Sequence, residues 1–175
     1  MGYTRYFLIN GIMLYAALTI IYKNGLNANV FEKRGSALQQ VFIGILIASC
    51  FLLGIVCINV IGFQTIPRLF GFVQAGWADI LCFVALQALI AVTEETIFRG
   101  LLSAIGKKCH LNGWVIIIGS AVLFGVFHWI FNYDLFQMVF SIVLGFVFST
   151  LYMKNKYCSI YALMLAHFLY NIAIS

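Results

Sequence analysis

Two adjacent glutamates and an arginine follow a long apolar run, and they constrain the possible fold of this chain more than any other feature. The run covers residues 80–92 and is followed, after Thr93, by Glu94 and Glu95, with Arg99 four residues later. An ionisable side chain inside a membrane segment costs about 2.5 to 3.5 kcal/mol on insertion scales, so by default it marks a functional site. We therefore expect this stretch to lie at the centre of a site.

The composition explains why these charges stand out. Of the 175 residues, 64% are hydrophobic and only 9% are charged, whereas soluble domains contain about 45 to 50% apolar and about 25% charged residues. No Pro-, Gly- or Ser-rich linker divides the sequence, whose only proline is Pro67. These features predict a single integral membrane domain over residues 1–175, embedded in a lipid bilayer. The basic residues lie in loops, so nucleic acid binding is not expected.

Six apolar segments approach the length of about 20 residues that crosses a hydrocarbon core about 30 Å thick. They cover residues 6–22, 41–63, 77–105, 115–131, 135–153 and 159–174. The predicted fold class is therefore all-α, a polytopic transmembrane bundle of about six helices. The first and last segments are short, and we expect them to be less tilted or partly interfacial.

Basic residues are unevenly divided between the two sets of loops. The loops after helices one, three and five hold seven of them, namely Lys23, Lys33, Arg34, Lys107, Lys108, Lys154 and Lys156. The amino terminus and the loops after helices two and four hold Arg5 and Arg68. Because cytoplasmic loops carry the excess of lysine and arginine, the first set is predicted to be cytoplasmic and both termini to lie outside.

Two further apolar helices carry isolated polar side chains, His128 on one and His167 with Asn171 on the other. At a rise of about 1.5 Å per residue, Glu94, His128 and His167 lie about 20, 21 and 16 Å from the predicted cytoplasmic ends of their helices. Their similar depth predicts that all of them contribute to one shared site inside the bilayer.

Helical spacing assigns partners within this site. Glu95 and Arg99 are four residues apart and share a helix face, so they can pair and neutralise each other. Glu94 points about 100° away and can face another helix. Phe124 shares a face with His128 and is expected to pack beneath it. Taken alone, the Glu95 and Arg99 pair could simply lock two helices together, and a single membrane histidine could be a satisfied hydrogen-bonding group.

The combined set is suited to the attack of water on an amide. Glu94 and His128 would activate the water as general bases. His167 and Asn171, four residues apart on one face, would supply hydrogen-bond donors to a developing oxyanion. The spacing and common depth favour this chemistry over a purely structural role.

Three motifs in this order resemble those of the CPBP family of intramembrane proteases, the CAAX-processing and bacteriocin-processing (Abi) enzymes. The motifs are Glu94-Glu95-x-x-x-Arg99, Phe124-x-x-x-His128 and His167-x-x-x-Asn171, and they span a motif-bearing core of about residues 77–175. The resemblance implies that Glu94 and His128 activate the water and that His167 and Asn171 stabilise the oxyanion. It implies a supporting role for Glu95 and Arg99.

The resemblance leaves the use of a metal open. Members of the family are often described as metalloproteases, and Glu94, His128 and His167 could bind zinc with a fourth position open to water. The chain has no HExxH motif, and a glutamate-activated water needs no ion. We therefore favour a metal-independent mechanism, with zinc as the alternative.

The expected substrate follows from the same resemblance. It is either a prenylated CAAX carboxyl terminus or a bacterial peptide precursor, and the small, proline-poor chain is more similar to bacterial members, which indicates a bacterial plasma membrane. Bacteriocin processing, self-immunity and signalling-peptide maturation are then the expected roles. The rival hypothesis is a non-enzymatic immunity or carrier protein that uses the same polar cluster to bind a peptide or to conduct protons.

Overall fold

The computed structural model describes residues 2–62, 69–74 and 76–174, and this part of the chain is helical, with no strand. Eight α-helices follow one another. They are α1 (Gly2–Lys23), α2 (Asn27–Val30), α3 (Ala37–Cys57), α4 (Trp77–Glu95), α5 (Leu102–Lys108), α6 (Gly113–Asn132), α7 (Leu135–Lys154) and α8 (Ile160–Ala173). The predicted all-α fold class is confirmed. The predicted end of the second segment at Phe63, and the predicted outside residue Arg68, lie outside the described residues.

Five helical stretches are long and apolar enough to cross a membrane, and a sixth is shorter. The five cover Tyr3–Lys23, Ala37–Gly62, Trp77–Lys108, Gly113–Asn132 and Leu135–Lys154. The sixth is α8, with 14 residues. The sequence predicted a single helix for the third stretch. The structure instead has a π-helical segment, Thr96–Leu101, between α4 and α5.

The bundle has an apolar exterior and a partly polar interior. Large apolar side chains such as Leu38, Ile61 and Trp77 are at least 80% exposed, whereas Glu95 and Arg99 are fully buried. Apolar surface facing outward costs little in lipid, while the buried charges need partners within the protein.

Helices α6 and α7 form an antiparallel hairpin. Asp134 caps α7, because its Oδ1 accepts hydrogen bonds from the backbone N–H groups of Phe136 at 2.8 Å and Gln137 at 3.2 Å. The two helices approach closely at Gly125, where a Cβ atom would lie only 2.8 Å from the carbonyl oxygen of Met138. The small residue permits the close packing typical of membrane helices.

Gln40 of α3 fixes the beginning of α8. Its Oε1 accepts hydrogen bonds from the Ser159 backbone N–H at 3.0 Å and the Ser159 hydroxyl at 2.6 Å. Its Nε2 donates to the carbonyls of Tyr157, at 2.9 Å, and of Arg34. Because Ser159 immediately precedes α8, this amide sets the position of the helix that carries His167 and Asn171.

The loops rich in basic residues lie at one end of the bundle. The Nη1 of Arg34 donates to the carbonyls of Tyr152 at 2.6 Å and Cys158 at 2.9 Å. The ammonium group of Lys107 lies 5.9 Å from the centre of the Tyr152 ring. The loops after the first, third and fifth predicted helices therefore meet, as expected if successive helices cross the membrane in alternating directions. We refer to this as the basic end.

Candidate active site

The first glutamate of the tandem pair lies between two histidines from other helices. Oε2 of Glu94 is 3.6 Å from Nε2 of His167 and 3.9 Å from Nε2 of His128. These side chains come from α4, α8 and α6. The three residues that were predicted to lie at a similar depth in the bilayer are therefore also close to one another. Within the described part of the chain, no residue donates a hydrogen bond to this buried carboxylate oxygen. A buried acceptor of this kind normally requires a partner.

The hydrogen bond of His128 fixes which ring nitrogen carries the proton. Its Nδ1 lies 3.1 Å from the carbonyl oxygen of Phe124. Because a carbonyl only accepts hydrogen bonds, Nδ1 must be the donor. In the neutral ring, Nε2 then presents a lone pair toward Glu94. The Phe124 ring also contacts the His128 ring, with centroids 4.5 Å apart, as the spacing predicted.

The second glutamate holds the other histidine. Nδ1 of His167 lies 2.8 Å from Oε1 of Glu95, and Nη1 of Arg99 lies 3.2 Å from the same oxygen. The predicted pairing of Glu95 with Arg99 is therefore present, and Glu95 also joins α4 to α8.

Arg99 is held between two aromatic rings. Its guanidinium carbon lies 4.3 Å from the centre of the Phe124 ring and 5.3 Å from that of Phe148. Cation–π contacts are strengthened when they are desolvated, and this side chain is fully buried. The stacked rings fix the guanidinium, which in turn fixes Glu95.

The π-helical segment begins directly after the two glutamates. The backbone N–H of Leu102 donates to the carbonyl of Ile97, five residues earlier, and the Phe98 carbonyl accepts a hydrogen bond from the Ser120 hydroxyl at 2.6 Å. Gly100 allows close packing here, since a Cβ atom would lie 2.7 Å from Cγ1 of Val30. Single π turns within α-helices occur frequently at functional sites. No local sequence pattern predicts this turn, because residues 96–101 lie within one continuous segment of helix-spanning length, 77–105.

A cavity of about 400 Å³ opens onto the polar cluster. Glu94, His128 and Asn171 line it, whereas His167 lies beside it and contacts Glu94. The structure thus brings all six predicted site residues together, with Glu95 and Arg99 behind the cavity. The cavity extends away from the basic end, toward the α6–α7 turn and the last residues of α8, including Ile174.

Helix α1 forms one wall of this cavity through Arg5, Tyr6, Asn10 and Met13. The first helix lies outside the motif-bearing core of residues 77–175, and the motifs predict no part for it in the site. The available signal was a polar residue in an apolar helix, Asn10, which is 8% exposed. Its carbonyl accepts a hydrogen bond from the Thr93 hydroxyl at 3.4 Å, next to Glu94.

The three candidate zinc ligands can be compared with the geometry of a metal site. Among the described residues, no three His, Cys, Asp or Glu side chains are grouped in a way that could hold a metal ion. Glu94, His128 and His167 as arranged therefore do not form a ready metal site, and zinc binding by them stays a prediction.

Comparison with known proteins identifies a family that the chain matches. The family described as Type II CAAX prenyl endopeptidase Rce1-like matches residues 75–173, which is more than half of the chain. No curated protein and no solved structure matches. The matched region begins just before α4 and ends with α8, so it contains Glu94, Glu95, Arg99 and both histidines of the cluster.

Proposed function

Because the chain belongs to the Rce1-like type II CAAX prenyl endopeptidase family, we propose that it hydrolyses a peptide bond with a water activated by Glu94 and His128. It is an integral, multi-pass membrane protein of this peptidase class. The observation that carries the proposed mechanism is the buried Glu94 Oε2, which faces a cavity and lies within 4 Å of two histidine nitrogens.

The first step is the addition of water to the carbonyl carbon. Glu94 takes a proton from the water as the oxygen–carbon bond forms, and the lone pair on His128 Nε2 helps to orient that water. Proton transfer by a positioned side chain contributes about 10² to 10⁴-fold to a rate. Neither residue needs to move far, because both are already held by their helices.

The oxyanion of the tetrahedral intermediate is stabilised by His167 and Asn171. Nδ1–H of His167 donates to the Glu95 carboxylate, and Nε2–H of the imidazolium form is directed at the reacting centre. Donors fixed before the reaction stabilise developing charge without reorganisation.

The second step breaks the carbon–nitrogen bond. Glu94 returns its proton to the leaving amine nitrogen as the oxyanion re-forms the carbonyl. The new carboxylic acid then loses its proton to bulk water, so one water is consumed and Glu94 is again ionised. We propose that no metal takes part, because the carboxylate alone can act as the base.

We propose a signalling-type or bacteriocin-type peptide as the substrate, with a prenylated CAAX terminus as the alternative. The cavity extends away from the basic end, and basic loops are predicted to be cytoplasmic. The site would then meet peptides on the outer side of the membrane. A bacterial plasma membrane fits such a substrate.

The test is cleavage of a panel of hydrophobic leader peptides and prenylated CAAX peptides by the purified protein in detergent. We expect wild type to cleave at least one of them, and Glu94→Gln to lower kcat/KM by about 10² to 10⁴-fold. His128→Ala should also lower it strongly. Glu32→Gln is the matched control, because it removes a carboxylate that is paired only with Arg34 on the surface.

A different pattern would contradict the proposal. If wild type and Glu94→Gln bound a peptide equally and neither cleaved it, the protein would be a binding or immunity protein. Equal cleavage by both would exclude Glu94 as the base.

A further inference from the structure

Another cavity, of about 580 Å³, lies at the basic end between α3 and α8. Its cationic wall comes from Lys33 and Arg34 in the loop before α3, and its apolar wall from Val41 of α3 and Leu165 of α8. It shares no lining residue with the cavity that contains Glu94. The proposed peptidase mechanism therefore gives this basic cavity no role.

Both cations of the basic cavity have donors to offer a ligand. Arg34 is held in place, because its Nη1 donates to backbone carbonyls and its Nε donates to Glu32 at 3.0 Å. Its Nη2 has no acceptor among the described residues. Lys33 is exposed and forms no ion pair or cation–π contact within the described part of the chain. A guanidinium and an ammonium group side by side suit the oxygens of a phosphate.

The balance of charge at this end of the bundle favours an anionic ligand. Seven lysines and arginines lie in its loops, and Glu32 is the one carboxylate there among the described residues. Asp79 and Asp134 lie at the opposite end, and Glu94 and Glu95 are buried inside the bundle. Because the basic end is predicted to be cytoplasmic, it would face the leaflet that carries the anionic lipids.

The apolar wall continues along the outside of the bundle. Val41 and Ile45 lie one helical turn apart on α3, and their exposed fractions are 43% and 48%. Helices α3 and α8 touch at Gly44, where a Cβ atom would lie 2.9 Å from the Ala162 carbonyl oxygen. The membrane-spanning stretch of α3 begins at Ala37, so the cations lie at the membrane interface and the apolar wall lies below them. This order of groups matches a phospholipid better than a free phosphate ion.

We propose that the basic cavity binds one anionic phospholipid. Lys33 and the Nη2 group of Arg34 hold the phosphate of its headgroup, and an acyl chain lies against Val41 and Ile45. Basic cavities between membrane helices on the cytoplasmic side are suited to anionic headgroups. The inference goes beyond the proposed peptidase function and does not depend on it.

A lipid in this position would stabilise the beginning of α8. Gln40 and Ser159, whose hydrogen bonds fix that end of the helix, also line the basic cavity. The bound lipid would contact the loop before α3 on one side and α8 on the other. Because the lipid binds only the folded protein, it should raise the unfolding midpoint.

The test uses native mass spectrometry to count the lipids retained by the purified full-length protein in detergent. Phosphatidylglycerol, phosphatidylcholine and inorganic phosphate are the probes. We expect one phosphatidylglycerol to bind about fivefold more tightly than phosphatidylcholine and to raise the unfolding midpoint. Inorganic phosphate at the same concentration should not displace it.

Two variants locate the binding to this cavity. Lys33→Gln should weaken the binding of phosphatidylglycerol about fivefold, which is the effect expected for one basic residue near a lipid surface. Lys108→Gln removes the same charge at the same end but outside the cavity lining, so it should bind like wild type. Ala37→Trp fills the cavity without changing its charge and should abolish both the binding and the rise in midpoint. Ala37 is exposed, so this variant should unfold at the wild-type midpoint when no lipid is added.

Three results would overturn the inference. The first is equal binding of phosphatidylglycerol and phosphatidylcholine, and the second is equal weakening by Lys33→Gln and Lys108→Gln, which would indicate diffuse attraction to the whole basic end. The third is unchanged binding in Ala37→Trp. Displacement of the lipid by inorganic phosphate would likewise contradict the assignment to a phospholipid. None of these measurements requires cleavage of a peptide, so they stand apart from the test of the proposed function.

Discussion

Nδ1 of His167 lies 2.8 Å from Oε1 of Glu95, so the second glutamate of the tandem pair holds the histidine that the first one faces. The two adjacent carboxylates therefore have different surroundings. Glu94 lines the cavity, whereas Glu95 is fully buried behind it against Arg99. This division suggests that Glu95 acts through His167 rather than on the substrate.

Glu95→Gln should separate these roles. The amide can still accept a hydrogen bond from His167, but the substitution removes the negative charge of the acceptor, and charge-assisted hydrogen bonds are about twice as strong as neutral ones. We expect kcat to fall about tenfold with KM nearly unchanged, measured by steady-state cleavage. A rise in KM with kcat unchanged would instead place Glu95 in substrate binding.

Arg99→Met should destabilise the protein by about 3 to 5 kcal/mol, because it leaves the buried Glu95 carboxylate without its cation. The double variant Glu95→Gln with Arg99→Met removes both charges and should recover much of this loss while remaining weakly active. Unfolding midpoints in detergent measure the effect. If the double variant lost the sum of the two single effects, the pair would not be coupled.

Gln40→Ala should lower stability and activity together, although Gln40 lies at the opposite end of the bundle from the cavity mouth. It removes the acceptor for Ser159 and leaves its backbone N–H unpaired, at a cost of about 1 to 3 kcal/mol. We expect a midpoint lower by several degrees and a reduced kcat, because α8 loses its fixed beginning. Gln39→Ala, one residue earlier and only half-buried, is the control. Normal kcat in Gln40→Ala would show that α8 is positioned by other contacts.

Cleavage should withstand chelation. In the proposed mechanism the proton acceptor is Glu94 itself, so prolonged EDTA treatment is expected to leave kcat unchanged. Metal analysis of the active protein provides the second readout. Loss of activity on chelation and its return with zinc would favour the ligand set Glu94, His128 and His167.

Thiol labelling should show that the cavity opens on the outer side of the membrane. In a background lacking Cys50, Cys57 and Cys82, we expect an impermeant maleimide to label Tyr133→Cys on intact cells. The exposed Cys109 at the basic end should react only after lysis. The opposite pattern would reverse the orientation.

Cys158 provides an internal control for that experiment. Burial raises the pKa of its thiol to about 11, so at pH 8 it is mostly the unreactive neutral form. It should stay unlabelled until the protein is denatured. Labelling of Cys158 in the native protein would mean that the loop at the basic end opens.

Local patterns predicted the parts of this protein that depend on one helix at a time. Apolar length predicted the six segments, and four-residue spacing predicted the contacts of Glu95 with Arg99 and of Phe124 with His128. Rise per residue predicted that Glu94 meets both histidines. Each of these rests on regular helix geometry, which the sequence encodes directly.

The features that the sequence did not reveal depend on contacts between distant segments. The wall formed by Asn10 and Arg5, and the link from Gln40 to Ser159, join residues more than 80 positions apart. No periodicity signals such pairs. At Asn10 the indication was a single amide in an apolar helix, and at Gln40 it was an amide just before the second apolar segment. Neither identifies a partner.

The brevity of α8 has a consequence for the surrounding lipid. A helix of 14 residues is about 21 Å long, well short of a hydrocarbon core of about 30 Å. Hydrogen bonds fix both of its ends. At one end the Ser159 N–H donates to Gln40, and at the other the Phe70 N–H donates to the Ala173 carbonyl. Tyr161 is the one exposed residue of α8, so neighbouring helices cover most of this helix and lipid touches little of its length. So short a segment can therefore carry His167 and Asn171 inside the bundle without the bilayer having to match its length.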